Sequence, residues 1–146
     1  MKSMRILIDT NILIDFIIKR QPYSDDAEKV IEICMRDNIY SCIAAHSIPN
    51  IHYILRKHLT KEQRKDVLIE ICSMFVVVGI DVIKLVSALK NEDFIDFEDC
   101  LQYECAKEFN ADYIVTRNPS DFHESSIPTI EPPDFIKQND KIVEKS

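Results

Sequence analysis

Three short segments of the chain carry carboxylates and amides at spacings that suit cation chemistry. Asp9 closes the apolar run Arg5-Ile6-Leu7-Ile8 and is followed by Thr10 and Asn11. Asp96, Glu98 and Asp99 stand together around Phe97, and Asn118 and Asp121 follow the apolar run Tyr113-Ile114-Val115-Thr116. Carboxylates gathered in one place repel and raise one another's pKa, so such a cluster persists mainly when a cation shares it. Oxygen donors without Cys or His suit Mg²⁺ or Mn²⁺. Such an ion activates water and stabilises charge on a phosphate oxygen, so the chemistry implied is phosphodiester hydrolysis.

Each candidate also has a plainer reading. Asp9 could cap the helix that follows it, but a cap does not call for Thr10 and Asn11 beside it, and the metal role is preferred. Asp96 is either an N-cap or a direct ligand, because acidic groups in a first turn complement the helix dipole. Asp99 lies one turn further on and shares that face, whereas Glu98 points elsewhere, into solvent. Asp121 suits a local turn as well as it suits the site. His46 and His52 lack the i, i+4 spacing of a helical metal pair, His58 belongs to a basic stretch and His123 is isolated, so surface or packing roles are expected for all. Gly79 is the only glycine, which excludes nucleotide-binding folds built on glycine-rich turns.

These groups must be positioned by the elements around them. Unbroken apolar runs predict strands at Arg5 to Ile8, Ile39 to Ala44, Phe75 to Val78 and Tyr113 to Thr116, with a short fifth within 127–130. The spacing between them is helical. Strands alternating with helices predict a three-layer α/β/α fold around a parallel sheet of four or five strands. Ligands of such a sheet sit outside the carboxyl ends of the strands where strand order reverses. If the first and fourth strands are neighbours, the three acidic segments converge there.

A length of 146 residues suits one domain, expected over 1–136, with 137–146 as a frayed charged tail. No apolar run is long enough for a signal peptide or membrane helix. Five cysteines, an odd number without a Cys-x-x-Cys pair, read as reduced thiols in the cytoplasm. The net charge of −7 opposes phosphate binding in bulk. The stretch from Arg56 to Lys65 nevertheless concentrates five Lys or Arg against one Glu. It is either a solvated helix connection or a phosphate-contacting edge made by Arg56, Lys57, Arg64 and Lys65.

The order Ile8-Asp9-Thr10-Asn11-Ile12-Leu13, then Asp96-Phe97-Glu98-Asp99-Cys100-Leu101-Gln102, then Ile114-Val115-Thr116-Arg117-Asn118-Pro119-Ser120-Asp121-Phe122 resembles the PIN-domain family. Ile127-Pro128 and Pro133-Asp134-Phe135 are similar to its closing segment, so the likeness runs from about Met4 to Phe135. The resemblance implies a metal-dependent ribonuclease acting on single-stranded RNA, often the toxin of a bacterial toxin–antitoxin pair and often a homodimer. It also implies metal-binding carboxylates at Asp9 and Asp99, supported by the Asn11 amide and the Thr116 hydroxyl. A Glu and an Asp usual in the family correspond here to Asn50 and Asn118. An amide coordinates Mg²⁺ through its oxygen but brings no charge, and Asp96 and Asp121 would compensate. The combination Thr116-Arg117-Asn118 with Asp121-Phe122 resembles one branch of the family.

Three functions therefore compete. The first is a metal-dependent endoribonuclease in which Asp9, Asp99 and Asp121 are catalytic, Asp9, Asp96, Asp99 and Asn118 hold metal, and a partner protein neutralises the acidic cleft. The second is a catalytically impaired PIN-like module that binds RNA or protein, favoured by Asn50 and Asn118. The third, a phosphatase or phosphotransferase with Asp9 as nucleophile, stands well behind, because such enzymes need an acid where Asn11 sits.

Overall fold

The computed structural model describes residues 3–144. The chain runs β1 (Met4–Ile8), α1 (Thr10–Ile18), α2 (Ser24–Cys34), β2 (Ile39–Ala44), α3 (Ser47–Leu55), α4 (Lys61–Met74) and β3 (Val76–Val78). It continues through α5 (Val82–Lys90), α6 (Phe97–Glu108), β4 (Tyr113–Val115), a 3-10 turn (Pro119–Phe122), β5 (Thr129–Ile130) and α7 (Pro132–Glu144). All pairings are parallel, in the order β3-β2-β1-β4-β5. Order reverses between β1 and β4, where Ile8 pairs with Val115. The expected α/β/α fold is therefore present, with β1 and β4 as neighbours.

The strands are largely apolar because most of both sheet faces is covered, with Tyr40 of β2 and Val76 of β3 left exposed. Side chains alternate across a strand. Ile6 and Ile8 of β1, Ile43 of β2 and Val115 of β4 enter a core with α1, α2, α3, α4 and Phe135 of α7. Leu7, Cys42 and Ile114 face the other way, against Tyr103 and Cys105 of α6 and Phe109 just after it. Ala88 of α5 packs on Cys100 and Leu101 of α6, outside that layer. All five cysteines are free, and only Cys72 is exposed.

The segment from 137 onward, expected as a frayed tail, is instead helical as far as Glu144. Pro132 and Pro133 suit a helix start, where an absent N–H costs nothing. One turn on, Phe135 is fully buried, and Asn139 follows it at i+4 on the same seam. Asn139 Nδ2 donates to the Phe135 carbonyl at 2.8 Å, which lets a polar residue enter that seam beside α2. The charges of this segment outweighed, in the sequence, the one position at Asn139 that continues the buried seam from Phe135.

Candidate active site

Asp9 leaves β1 in an extended conformation (φ −63°, ψ 142°) at the N-cap position of α1, yet its side chain makes no capping bond. The carboxylate turns inward and is almost fully buried. Oδ1 accepts from Gln102 Nε2 at 3.0 Å and Oδ2 accepts from the Thr116 hydroxyl at 2.7 Å. Thr116 Oγ1 in turn accepts from the Asn118 backbone N–H at 3.0 Å. Gln102 Oε1 accepts from Thr10 N–H at 3.1 Å, so one amide orientation satisfies both neighbours. The Thr10 hydroxyl is paired with Ser47 Oγ at 2.6 Å, tying α1 to α3.

Every donor to Asp9 is neutral. Burial pushes its carboxyl above the usual range, opposed by the Gln102 and Thr116 hydrogen bonds and reinforced by the charge of Asp121. Asp99, on the first turn of α6, is half-buried and pushed up to about 7. Burial is again the largest cause, followed by the charges of Asp96, Asp9 and Asp121. Asp96 is the N-cap of α6, its Oδ1 accepting from Asp99 N–H at 2.9 Å. Asp121 stands exposed on the 3-10 turn after β4. The convergence follows from topology: β1 and β4 end side by side, and α6 packs against β1.

The resulting cleft has a volume of about 250 Å³, and Asp9, Asp96, Asp99 and Asp121 all line it, with Asn11 and Asn50. A depression of about 430 Å³ shares Asp96, Asp99 and Asp121 and carries the acidic surface outward to Asp93 and Glu124. Asn118, expected as a ligand, is not part of the cleft lining. It contributes through its backbone, because the chain turns into the 3-10 segment there and directs the N–H at Thr116. Thr116 is fully buried behind Asp9.

The basic candidates lie beside the cleft rather than in it. Arg56 and Lys57 follow the end of α3, and Arg64 and Lys65 lie early in α4. Arg64 is half-buried and the other three are exposed.

Four contributors escaped the sequence reading. Gln102 is the most consequential, and its place three residues after Asp99 on a helical face was the available signal. Ser47 gave none, because its partner Thr10 is 37 positions away. Glu98, expected to point away into solvent, is exposed but rims the cleft, and its carbonyl meets His46 Nε2 at 3.1 Å. His46 thereby joins the start of α3 to the start of α6, and burial lowers its pKa.

The charged donors of the cleft are all carboxylate oxygens, and His46 also lines it. Among the described residues no three His, Cys, Asp or Glu are arranged to hold an ion together. That arrangement fits Mg²⁺, which is ordinarily bound through one or two carboxylates while waters and phosphates complete its shell. Asp99 carries repulsion from Asp96, Asp9 and Asp121, and Asp9 carries it from Asp121, which a cation in the cleft would offset.

No helix among the described residues is long and apolar enough to cross a membrane. Residues 5–120 match the family model described as a PIN domain. No curated protein matches the sequence. Solved structures with the same fold include VapBC2 from Rickettsia felis bound to a DNA fragment from their promoter, at 21% identity and TM-score 0.62 over 88% of this chain and 98% of that one. A toxin–antitoxin complex from Klebsiella pneumoniae matches at 23% identity and TM-score 0.65 over 86% and 96% of the respective chains. FitAcB from Neisseria gonorrhoeae matches at 16% identity and TM-score 0.64 over 87% and 97%. Because the family model covers residues 5–120, most of the chain, with Asp9, Asp96 and Asp99 inside the match, the chain belongs to the PIN-domain family.

Proposed function

We propose that this chain is a divalent-metal-dependent endoribonuclease that cuts single-stranded RNA in the cytoplasm, as the toxin of a toxin–antitoxin pair. The observation that carries the reading is the convergence of Asp9, Asp96, Asp99 and Asp121 on one cleft, with Asp99 pushed up to about 7 by burial and by the other three. Such groups at a sheet's switch point are candidates for function. The Klebsiella structure, described as a toxin–antitoxin complex, supports a protein partner, and a cationic group from that partner would suit the same cleft. The exposed apolar residues Val82, Ile83 and Leu89 of α5 support a homodimer.

Asp9 and Asp99 would hold the metal, with Asp96 and Asp121 adding negative charge around it. Mg²⁺ or Mn²⁺ supplies, when bound, an activated water and positive charge at the scissile phosphate. Gln102 and Thr116 fix both oxygens of Asp9, so the carboxylate needs no reorientation during the reaction. Asp99 can hold a proton at neutral pH while the cleft is free of cations and gives it up when a cation offsets its neighbours. Asn11 and Asn50 offer amides along the cleft wall.

The test compares wild type with Asp99→Ala on mixed-sequence RNA, in Mn²⁺ and in excess chelator. The expected result is cleavage by wild type with metal alone, with turnover in Asp99→Ala reduced by at least about 100-fold while RNA affinity falls far less. Cleavage surviving in Asp99→Ala would move the activity elsewhere. Inertness of wild type on RNA that it still binds would favour the impaired binding module, with Asn50 and Asn118 as lost ligands.

A further inference from the structure

The α3 wall of the cleft continues past Asn50 to an aromatic ring and a cation. Asn50, Tyr53 and Ile54 stand at i, i+3 and i+4 on one face of the helix. Asn50 and Ile54 line the acidic cleft, and Tyr53 is 60% exposed. Arg56 lies across one face of that ring, its Cζ 3.7 Å from the centroid, and its Nη2 donates to Tyr53 Oη at 2.7 Å. The stack and the hydrogen bond together fix the plane of the ring, which lowers the ordering cost of binding against it. Among the described residues Arg56 forms no salt bridge, so its charge remains available to an anion.

We propose that Tyr53 and Arg56 form a nucleobase-stacking subsite at the rim of the cleft. The open face of the ring takes one base of single-stranded RNA and the guanidinium meets the adjoining phosphate. This rests on the RNA-cleaving reading and adds how the strand is gripped. An acidic cleft repels the backbone it must receive, so attraction has to come from its edge. An aromatic platform beside a cation provides it with little dependence on base identity, since every base has a π-face. Tyr53 lies about 4.5 Å along α3 from Asn50, which lines the cleft.

The chain contains no tryptophan, so Tyr53→Trp introduces a single tryptophan, at the subsite, whose emission can be excited selectively over the remaining tyrosines. It is made together with Asp99→Asn, to keep the RNA uncut, and titrated in Mg²⁺ with a short single-stranded RNA. Binding is followed separately by anisotropy of an end-labelled copy. The expected result is saturable quenching with the same midpoint as the anisotropy change, lost when the strand carries abasic sites. Tyr53→Ala should weaken binding by about 5- to 150-fold. Tyr53→Phe, which keeps the ring, should weaken it far less. Binding by anisotropy with unchanged tryptophan emission would place the strand elsewhere and overturn the subsite while sparing the RNA reading. Failure of wild type to bind any RNA would overturn that reading itself. Emission that shifts with protein concentration alone would assign the ring to a contact between copies and overturn the subsite.

Discussion

Two aspartates six positions apart at the start of the chain are buried almost equally and treated in opposite ways. Asp15 in α1 is 1% exposed and meets two cations, Arg117 Nε at 2.8 Å and Arg20 at 3.6 Å. Arg117 also stacks over Tyr23 at 4.1 Å, so α1, the segment before α2 and the chain after β4 are joined by one charge-balanced knot. Asp9 is 2% exposed and meets only neutral donors, with the charge of Asp121 reinforcing its cost. A buried carboxylate matched by cations from its own chain has its charge spent on structure. One oriented by amide and hydroxyl groups has no cation of its own chain to offset its charge. That contrast separates Asp15 from the proposed site acid Asp9 more cleanly than burial does.

The largest effect should come from breaking the matched pair. Arg117→Ala leaves Asp15 buried with only the longer Arg20 contact and should cost about 3 kcal/mol of stability. Differential scanning fluorimetry would register this as a fall of about 10 °C. Asp15→Asn should cost less, because the cations it frees are partly exposed and regain water. A harmless Arg117→Ala would erase the distinction between the two aspartates.

Metal should act on the other one. Saturation at about 100 times the dissociation constant adds about 2.7 kcal/mol to the folded state. Mn²⁺ should therefore raise the melting temperature of wild type by several degrees. Asp9→Asn should abolish that rise and leave the metal-free protein as stable or more so, because a buried uncompensated charge is gone. An equal metal response in wild type and Asp9→Asn would relocate the ion.

The smallest effect is a slope. In the folded protein Asp99 is pushed up to about 7 from an ordinary 3.8. Between these values the folded state holds a proton that the unfolded chain has released, so this group's contribution to stability falls as pH rises and levels off above about 7. Asp99→Asn should therefore flatten the decline in melting temperature between about pH 4 and pH 7, measured in chelator. Identical slopes in wild type and variant would remove Asp99 from the repelling cluster.

Much of the fold was legible in local pattern. The apolar runs marked every strand within a residue or two, because strands buried on both faces need no polar alternation. Asp96 read as either a cap or a ligand, and the cap is present, since the Asx–N–H bond spans only one turn. The convergence of Asp9, Asp99 and Asp121 depended on one condition, the adjacency of β1 and β4, which no local pattern supplies.

What the sequence by itself determined was the kind of sheet, the strand ends that carry acids and the hard-oxygen character of the site, all of which depend on residue type and short-range spacing. Only the tertiary structure decided which buried acid is paired with cations and which is not. Gln102 reaches Asp9 across 93 positions, Thr116 across 107, and Arg117 reaches Asp15 across 102. Those partners decide whether a buried charge is balanced within the chain or held ready for an ion, and they meet only when the sheet brings β1, β4 and α6 together.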